Sequence, residues 1–174
     1  MVAAVILAAG AASRFGAPKQ ALLLPEVLGR VRESSVDEIV VVAGAHPLST
    51  EVRVVHCPDW ELGPGASLRC GLEALGDESE AAVIVLADGP DLSPAAIDRV
   101  VAAWRGGRED VVAASYGGVR GHPVVLGRPI WTRVPLEGAR AFEPVLVPCD
   151  DLGSPGDVDL ADEFPGRLRE ETAE

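Results

Sequence analysis

Lysine is all but absent from this chain. Of its 15 basic residues 14 are arginines, and Lys19 is the single lysine. A sequence that uses arginine everywhere else has placed its one compact, flexible ammonium here, which singles the position out. Aromatic residues are also scarce, 4% of the chain against 48% hydrophobic residues overall. The core must therefore be built from Val, Leu, Ile and Ala, and such runs suit the buried parallel strands of an α/β protein. The three cysteines, Cys57, Cys70 and Cys149, are odd in number, far apart and without C-x-x-C spacing. Neither a disulfide framework nor a zinc site is indicated, and a reducing cytoplasm is the expected compartment. No stretch approaches the ~20 apolar residues of a membrane span. Residues 2–13 end in Ala-Ala-Ser and imitate a signal peptide, but no basic segment precedes them and Gly10 interrupts the run. Positive charge is in deficit as well. The net charge of −12 would repel nucleic acid and anionic membrane over most of the surface, so neither is expected as a partner.

What is present is concentrated at the start. At 174 residues the chain is read as one domain. The apolar run Val2–Leu7 breaks into Ala8-Ala9-Gly10-Ala11-Ala12-Ser13 and then reaches Arg14, Gly16 and Lys19. This reads as a buried strand entering a small-residue loop with two positive charges just beyond it. Glycine and alanine let backbone N–H groups approach an anion, and Arg and Lys neutralise what those groups hold. Residues 1–25 contain no acidic residue, so the loop is a local positive site in an acidic protein. A small anionic ligand fits it better than a polyanion does. The spacing excludes a Walker loop, because Gln20 follows Lys19, and no G-x-G-x-x-G is present. A strand–loop–helix with chance charges is the plain alternative.

Further along, a helix is expected over roughly Glu26–Ser34. Strands are expected at Glu38–Ala43, Arg53–His56, Ala82–Leu86 and Asp110–Ser115. A second glycine-rich loop spans Trp60–Ser67, before a helix with Leu68, Leu72 and Leu75 at i, i+4 and i+7. Ser93 is placed to cap a helix opened by Pro94. The alternation predicts a doubly wound, three-layer α/β/α, Rossmann-like fold with a mostly parallel sheet and ligands at the strand carboxyl ends. Residues 1–115 would line the crevice and 116–165 form a more irregular part folding over it, with a turn or hairpin at Gly117–Pro123 and short strands at Val124–Leu126 and Pro144–Val147. Residues 166–174 read as a frayed tail.

Asp88 ends the apolar strand Ala82–Leu86. A carboxylate there is costly unless paired, and Mg²⁺ is a natural partner; a turn role is the alternative. Gly156-Asp157-Val158-Asp159 is acidic before a last helix, which is also stabilising on electrostatic grounds alone. His122 could face substrate or serve as a turn histidine.

The motif L-A-A-G-x-x-x-R-x-G-x-x-K, Leu7–Lys19, resembles the signature of the MobA-like NTP transferase family. Gly63–Gly71 (G-P-G-A-S-L-R-C-G) and Tyr116–Val124 (Y-G-G-V-R-G-H-P-V) are similar to its molybdenum-cofactor cytidylyltransferase branch. The segment Asp157–Phe164 resembles the family's late D-I-D-T-P-E-D-L. Departures lie mostly on the acceptor side. A G-x-P-L segment is missing between Leu24 and Leu28, and L-x-G-D-x-G-A-R is cut down to Leu136–Arg140. Ala12 replaces a usual serine, and Gly89 a frequent glutamine.

The resemblance implies a nucleotide-diphospho-sugar transferase-like fold and a Mg²⁺-dependent enzyme, with 1–115 as its nucleotide-binding part and 116–165 as its acceptor-side part. A phosphorylated acceptor, molybdopterin by preference, would attack a nucleoside triphosphate, CTP by preference, and release pyrophosphate. Nucleotide contacts would come from Leu7, Ala8, Ala9, Gly10, Ala11, Arg14, Lys19, Gly65, Ser67 and Asp88. Arg14, Lys19 and Asp88 would be catalytic, Asp88 and Asp159 (with Asp157 in reserve) would hold Mg²⁺, and Arg120 and His122 would face the acceptor. A molybdoenzyme or its maturation chaperone is the implied protein partner. A transferase using GTP or another small acceptor, or a nucleotide-binding sensor or carrier without turnover, stays open.

Overall fold

A computed structural model describes residues 1–11, 19–157, 163 and 165–169. Its strands are β1 (Val2–Ala8), β2 (Glu38–Ala43), β3 (Arg53–His56), β4 (Ala81–Leu86), β5 (Val111–Tyr116), β6 (Val119–Gly127) and β7 (Val145–Pro148). The helices are α1 (Lys19–Arg32), α2 (Pro64–Glu73), α3 (Pro94–Gly106) and the short α4 (Gly166–Arg169). The strands make one seven-stranded sheet in the order β3-β2-β1-β4-β6-β5-β7. Only β6 runs against the rest, pairing antiparallel with both β4 and β5. The α/β expectation, with a mixed but mostly parallel sheet, is met.

The valine- and alanine-rich strands β1, β2, β4 and β5 are largely buried on both faces. One face packs Ala4, Ile6, Val83 and Val85 under Leu24, Val27, Leu28 and Val31 of α1 and Ile97 and Val100 of α3. The other packs Val5, Val42 and Ile84 under Leu68 and Leu72 of α2. The chain leaves β1 toward β2 and β3 on one side, while β4 lies on the other, in register with Leu7 opposite Leu86. Where strand order reverses in this way, the carboxyl ends of the two strands leave a crevice between their following loops.

Several boundaries differ from the sequence reading. α1 begins at Lys19 rather than near Glu26 and runs through Pro25. The ring removes one backbone donor, but the buried stripe Leu23, Leu24, Val27, Leu28 and Val31 holds the helix across it. α2 begins at Pro64, so Gly65, Ala66 and Ser67 form its first turn instead of a loop. Ser93 is the N-cap residue of α3, but its side chain makes no capping hydrogen bond. Gly121-His122-Pro123 belongs to the nine-residue strand β6, and the turn is confined to Gly117 and Gly118, whose positive φ angles of 59° and 77° suit a tight hairpin. Residues 111–148 thus extend the sheet. Within the tail, residues 166–169 are helical, and Arg167 is tied to Asp91 at 2.7 Å.

Candidate active site

The crevice is built from the ends of β1 and β4. Past Ala8 the chain buries Ala9 and exposes Gly10 and Ala11. Two neighbours from the segment after β2 pin it. The Ala45 N–H donates to the Ala9 carbonyl at 3.1 Å, and His46 Nε2 bonds the Ala11 carbonyl at 3.0 Å. A side chain on Gly44 would begin 2.7 Å from the Ala9 oxygen, so only glycine allows this approach. Gly44 and His46 were not picked out from sequence. Their signal was the Gly-Ala-His-Pro run directly after the clearest central strand.

Lys19 opens α1 with its ammonium buried, the residue only 5% exposed. Its Nζ lies 3.1 Å from Asp88 Oδ2 at the end of β4. A buried ammonium requires such a counter-charge. The structure therefore brings together two residues that are 69 positions apart in sequence and were predicted to share a site. Arg14 and Asp159, predicted beside them, lie outside the described residues.

The loop carrying Asp88 is held tightly. Gly89 N–H donates to Leu86, and Asp91 N–H donates to Pro155 at 2.9 Å. Beside it lies a cleft of about 310 Å³, whose lining includes Leu86, Gly89, Arg120, His122, Ser154 and Asp157. Arg120 is not a loose cation. Its guanidinium donates to the carbonyls of Phe142 (2.7 Å) and Ala139 (2.8 Å) and so fixes the 139–142 segment.

Burial, helped by the Arg120 charge and opposed by Asp88, lowers the His122 pKa to about 4. The imidazole is neutral at pH 7 and offers one donor and one acceptor at the cleft. This is linked to stability. Between about pH 6.5 and 4 the unfolded chain takes up a proton that the folded chain refuses, so stability present above pH 6.5 is lost as pH falls through that window. A His122→Gln variant is expected to show a shallower acid limb in thermal melts between pH 7 and 4. An unchanged limb would remove His122 as a source of it.

Gly65 and Ser67 lie buried in the first turn of α2. The Gly65 N–H already donates to the Leu136 carbonyl at 2.8 Å, so that donor is committed within the fold. Among the described residues no group of three or more His, Cys, Asp or Glu could hold a metal. A cation here would rest on one or two carboxylates together with oxygens from outside the protein. That is how Mg²⁺ and Mn²⁺ are commonly held, and Asp88 and Asp157 offer the right hard oxygens.

Residues 4–142 match the MobA-like NTP transferase domain. The chain belongs to this family. It is thus a member of a nucleotidyltransferase family, and the Lys19–Asp88 pair lies at the point where the strand order of the sheet reverses. Nicotine blue oxidoreductase of Paenarthrobacter nicotinovorans is 28% identical over 195 residues, covering 94% of each chain. Rv0371c from Mycobacterium tuberculosis superposes with a TM-score of 0.79 at 24% identity, covering 97% of both chains. The same protein was solved in complex with manganese (TM-score 0.73, 25% identity, 97% of both). CMP:2-keto-3-deoxy-manno-octonic acid synthetase, complexed with CTP, shares the fold at 11% identity, with a TM-score of 0.71 over 98% of both chains. Among the described residues, no helix is long and apolar enough to cross a membrane.

Proposed function

We propose that the protein transfers a nucleoside monophosphate, CMP by preference, from a nucleoside triphosphate to a phosphorylated small acceptor, and that pyrophosphate leaves. The observation that carries this is the buried Lys19–Asp88 pair at 3.1 Å, set at the reversal point of the sheet in a chain of this family. The acceptor phosphate is already an anion, so its attack on the α-phosphorus needs no strong general base. Rate enhancement then comes from positioning and charge stabilisation.

Each residue has a distinct task in this reading. The Leu7–Ala11 backbone leads the nucleotide into the crevice, and Arg14 and Lys19 neutralise charge on the reacting phosphate and the departing pyrophosphate. Asp88, with Asp159 or Asp157, would hold a divalent metal, which when bound supplies charge neutralisation across the phosphates. Ser67 and Gly65 would shape the base-side wall from the start of α2. Neutral His122 would orient the acceptor by hydrogen bonding, with Arg120 holding the wall behind it. Similarity to the cytidylyltransferase branch favours CTP and molybdopterin, and with them a cytoplasmic site of action and hand-over to a molybdoenzyme or its chaperone. The manganese-bound relative supports a divalent ion.

The relative named nicotine blue oxidoreductase favours a second reading, an oxidoreductase, for which a dinucleotide would be the natural cofactor. The missing G-x-G-x-x-G weighs against it. A thermal-shift panel separates the readings: CTP, GTP, ATP and UTP with and without Mg²⁺, with NADPH alongside. A ligand at a hundredfold excess over Kd adds about 2.7 kcal/mol, which raises Tm by roughly 5–11 °C for a chain of this size. The largest Mg²⁺-dependent shift is expected with CTP. A shift with NADPH alone would replace the transferase reading.

A further inference from the structure

We propose that Arg167 is a positioning residue that holds α1 and the β4–α3 loop in the register at which Lys19 meets Asp88; this rests on the nucleotidyltransferase reading of that pair. The sequence gives Arg167 no such role, since it falls in a charged stretch near the end of the chain.

The two elements that carry the pair face each other across a gap. Glu26 follows Lys19 by seven residues on α1. Two helical turns place it on the same face, about 10.5 Å along the axis. Asp91 follows Asp88 by three residues on the opposite bank. Both are acidic, so at this second level like charges face each other where the first level has an ion pair. Arg167 lies between them. Its Nη2 is 2.7 Å from Asp91 Oδ1, 3.4 Å from the Pro90 carbonyl and 3.8 Å from Glu26 Oε1. Arg30 holds the same Glu26 oxygen at 3.0 Å, which orders that carboxylate. The Asp91 backbone is fixed too, because its N–H donates to Pro155 at 2.9 Å. A side chain on Gly89 would begin 3.0 Å from Pro155 Cβ, so the loop has no slack on that side. One guanidinium thus bridges the helix that bears Lys19 and the loop that bears Asp88. Without it, Glu26 and Asp91 would face each other with only Arg30, on α1 itself, to offset their charge, and the two banks would lose the cation they share.

The bridge is half exposed, with Arg167 at 46% and Asp91 at 54%. Its grip should therefore weaken with salt, as exposed charge pairs do. This gives a readout that a purely structural contact would not move.

The test uses the full chain and Mn²⁺ with CTP as the probe, followed by electron paramagnetic resonance titration at low and high NaCl. Arg167→Ala is expected to weaken Mn²⁺ affinity in the presence of CTP by up to about fivefold, the upper end of what a half-exposed ion pair is worth. Arg167→Lys should recover most of it. Wild-type affinity should fall more steeply with salt than that of the alanine variant. Adding Asp91→Asn to Arg167→Ala removes one of the two facing charges and should restore part of the loss. Wild-type Mn²⁺ affinity and salt dependence in Arg167→Ala would overturn the bridge. Absence of Mn²⁺–CTP binding by the wild type would instead overturn the transferase reading beneath it.

Discussion

Lys19→Ala is expected to lower nucleotidyl transfer by about 10²–10³-fold while the fold survives. The magnitude is that of losing one preorganised charge aimed at a transition state. The position is suited to deliver it. The ammonium is buried, held 3.1 Å from Asp88, and set on the first residue of a helix packed by five apolar residues. In the proposed reaction, an ammonium held in place in this way would need little reorganisation as the phosphate charge develops. The fold should survive because Asp88 keeps 23% of its side chain in solvent and can be hydrated once its partner is gone. Lys19→Arg keeps the charge but needs room for a planar fork in a buried place, so partial rescue at best is expected. The measurement is pyrophosphate release from CTP with molybdopterin as acceptor, with a thermal melt of each variant. Release at the wild-type rate by Lys19→Ala would remove this pair from the chemistry.

The sequence made that pair legible, and the reason is physical. A lone lysine in an arginine-rich chain, and a carboxylate ending the apolar run Ala81–Leu86, are both anomalies of local composition. Parallel strands then bring such strand ends together. The core was readable for the same reason, since runs such as Val40-Val41-Val42 leave no polar side to expose. What the sequence hid depends on contacts made far along the chain. The start of α1 was obscured by Pro25, whose local cost is outweighed by a stripe that only α1's packing on the sheet makes visible. The extent of β6 was obscured by Gly121 and Pro123, which read as turn residues when the two neighbouring strands are not known. The anchoring of Ala11 by His46 spans 35 positions, and the Gly-Ala-His-Pro run marks only a strand end, not its partner; Arg167 reaches Asp91 across 76 with no local signature. Arg120 illustrates the limit from the other direction. The resemblance turned it toward the acceptor, and no local pattern announced that its guanidinium also holds two carbonyls of the 139–142 segment.

Gly65 carries the second large effect, and the effect tells packing apart from ligand binding. A Cβ at this position would begin 1.8 Å from the Pro135 oxygen and 2.8 Å from both Cα and the carbonyl carbon of Leu136. All of these are backbone atoms, so no side chain can swing aside. The N-terminus of α2 would have to part from the 135–138 segment. The Gly65–Leu136 hydrogen bond of 2.8 Å would go with it, and the nearby bond from Arg69 Nε to Val134 at 2.7 Å would be strained. Gly65→Ala should therefore cost about 3 kcal/mol, the upper end of ordinary overpacking. In a chain of this length that lowers Tm by roughly 6–12 °C. Gly29 is the control. It lies within α1, and nothing stands within 4 Å of a Cβ built there. Gly29→Ala should gain about 0.5–1 kcal/mol through helix propensity and a less flexible unfolded chain. Opposite signs for one added methyl would establish that space, and not the loss of glycine as such, decides the outcome. The pair also bears on the nucleotide. If Gly65 serves only to let a base approach, Gly65→Ala would lose CTP binding at an unchanged Tm. If it serves the α2 contact, Tm falls even without nucleotide. The second result is expected, because the space that a Cβ on Gly65 would take is already filled by the backbone of Pro135 and Leu136.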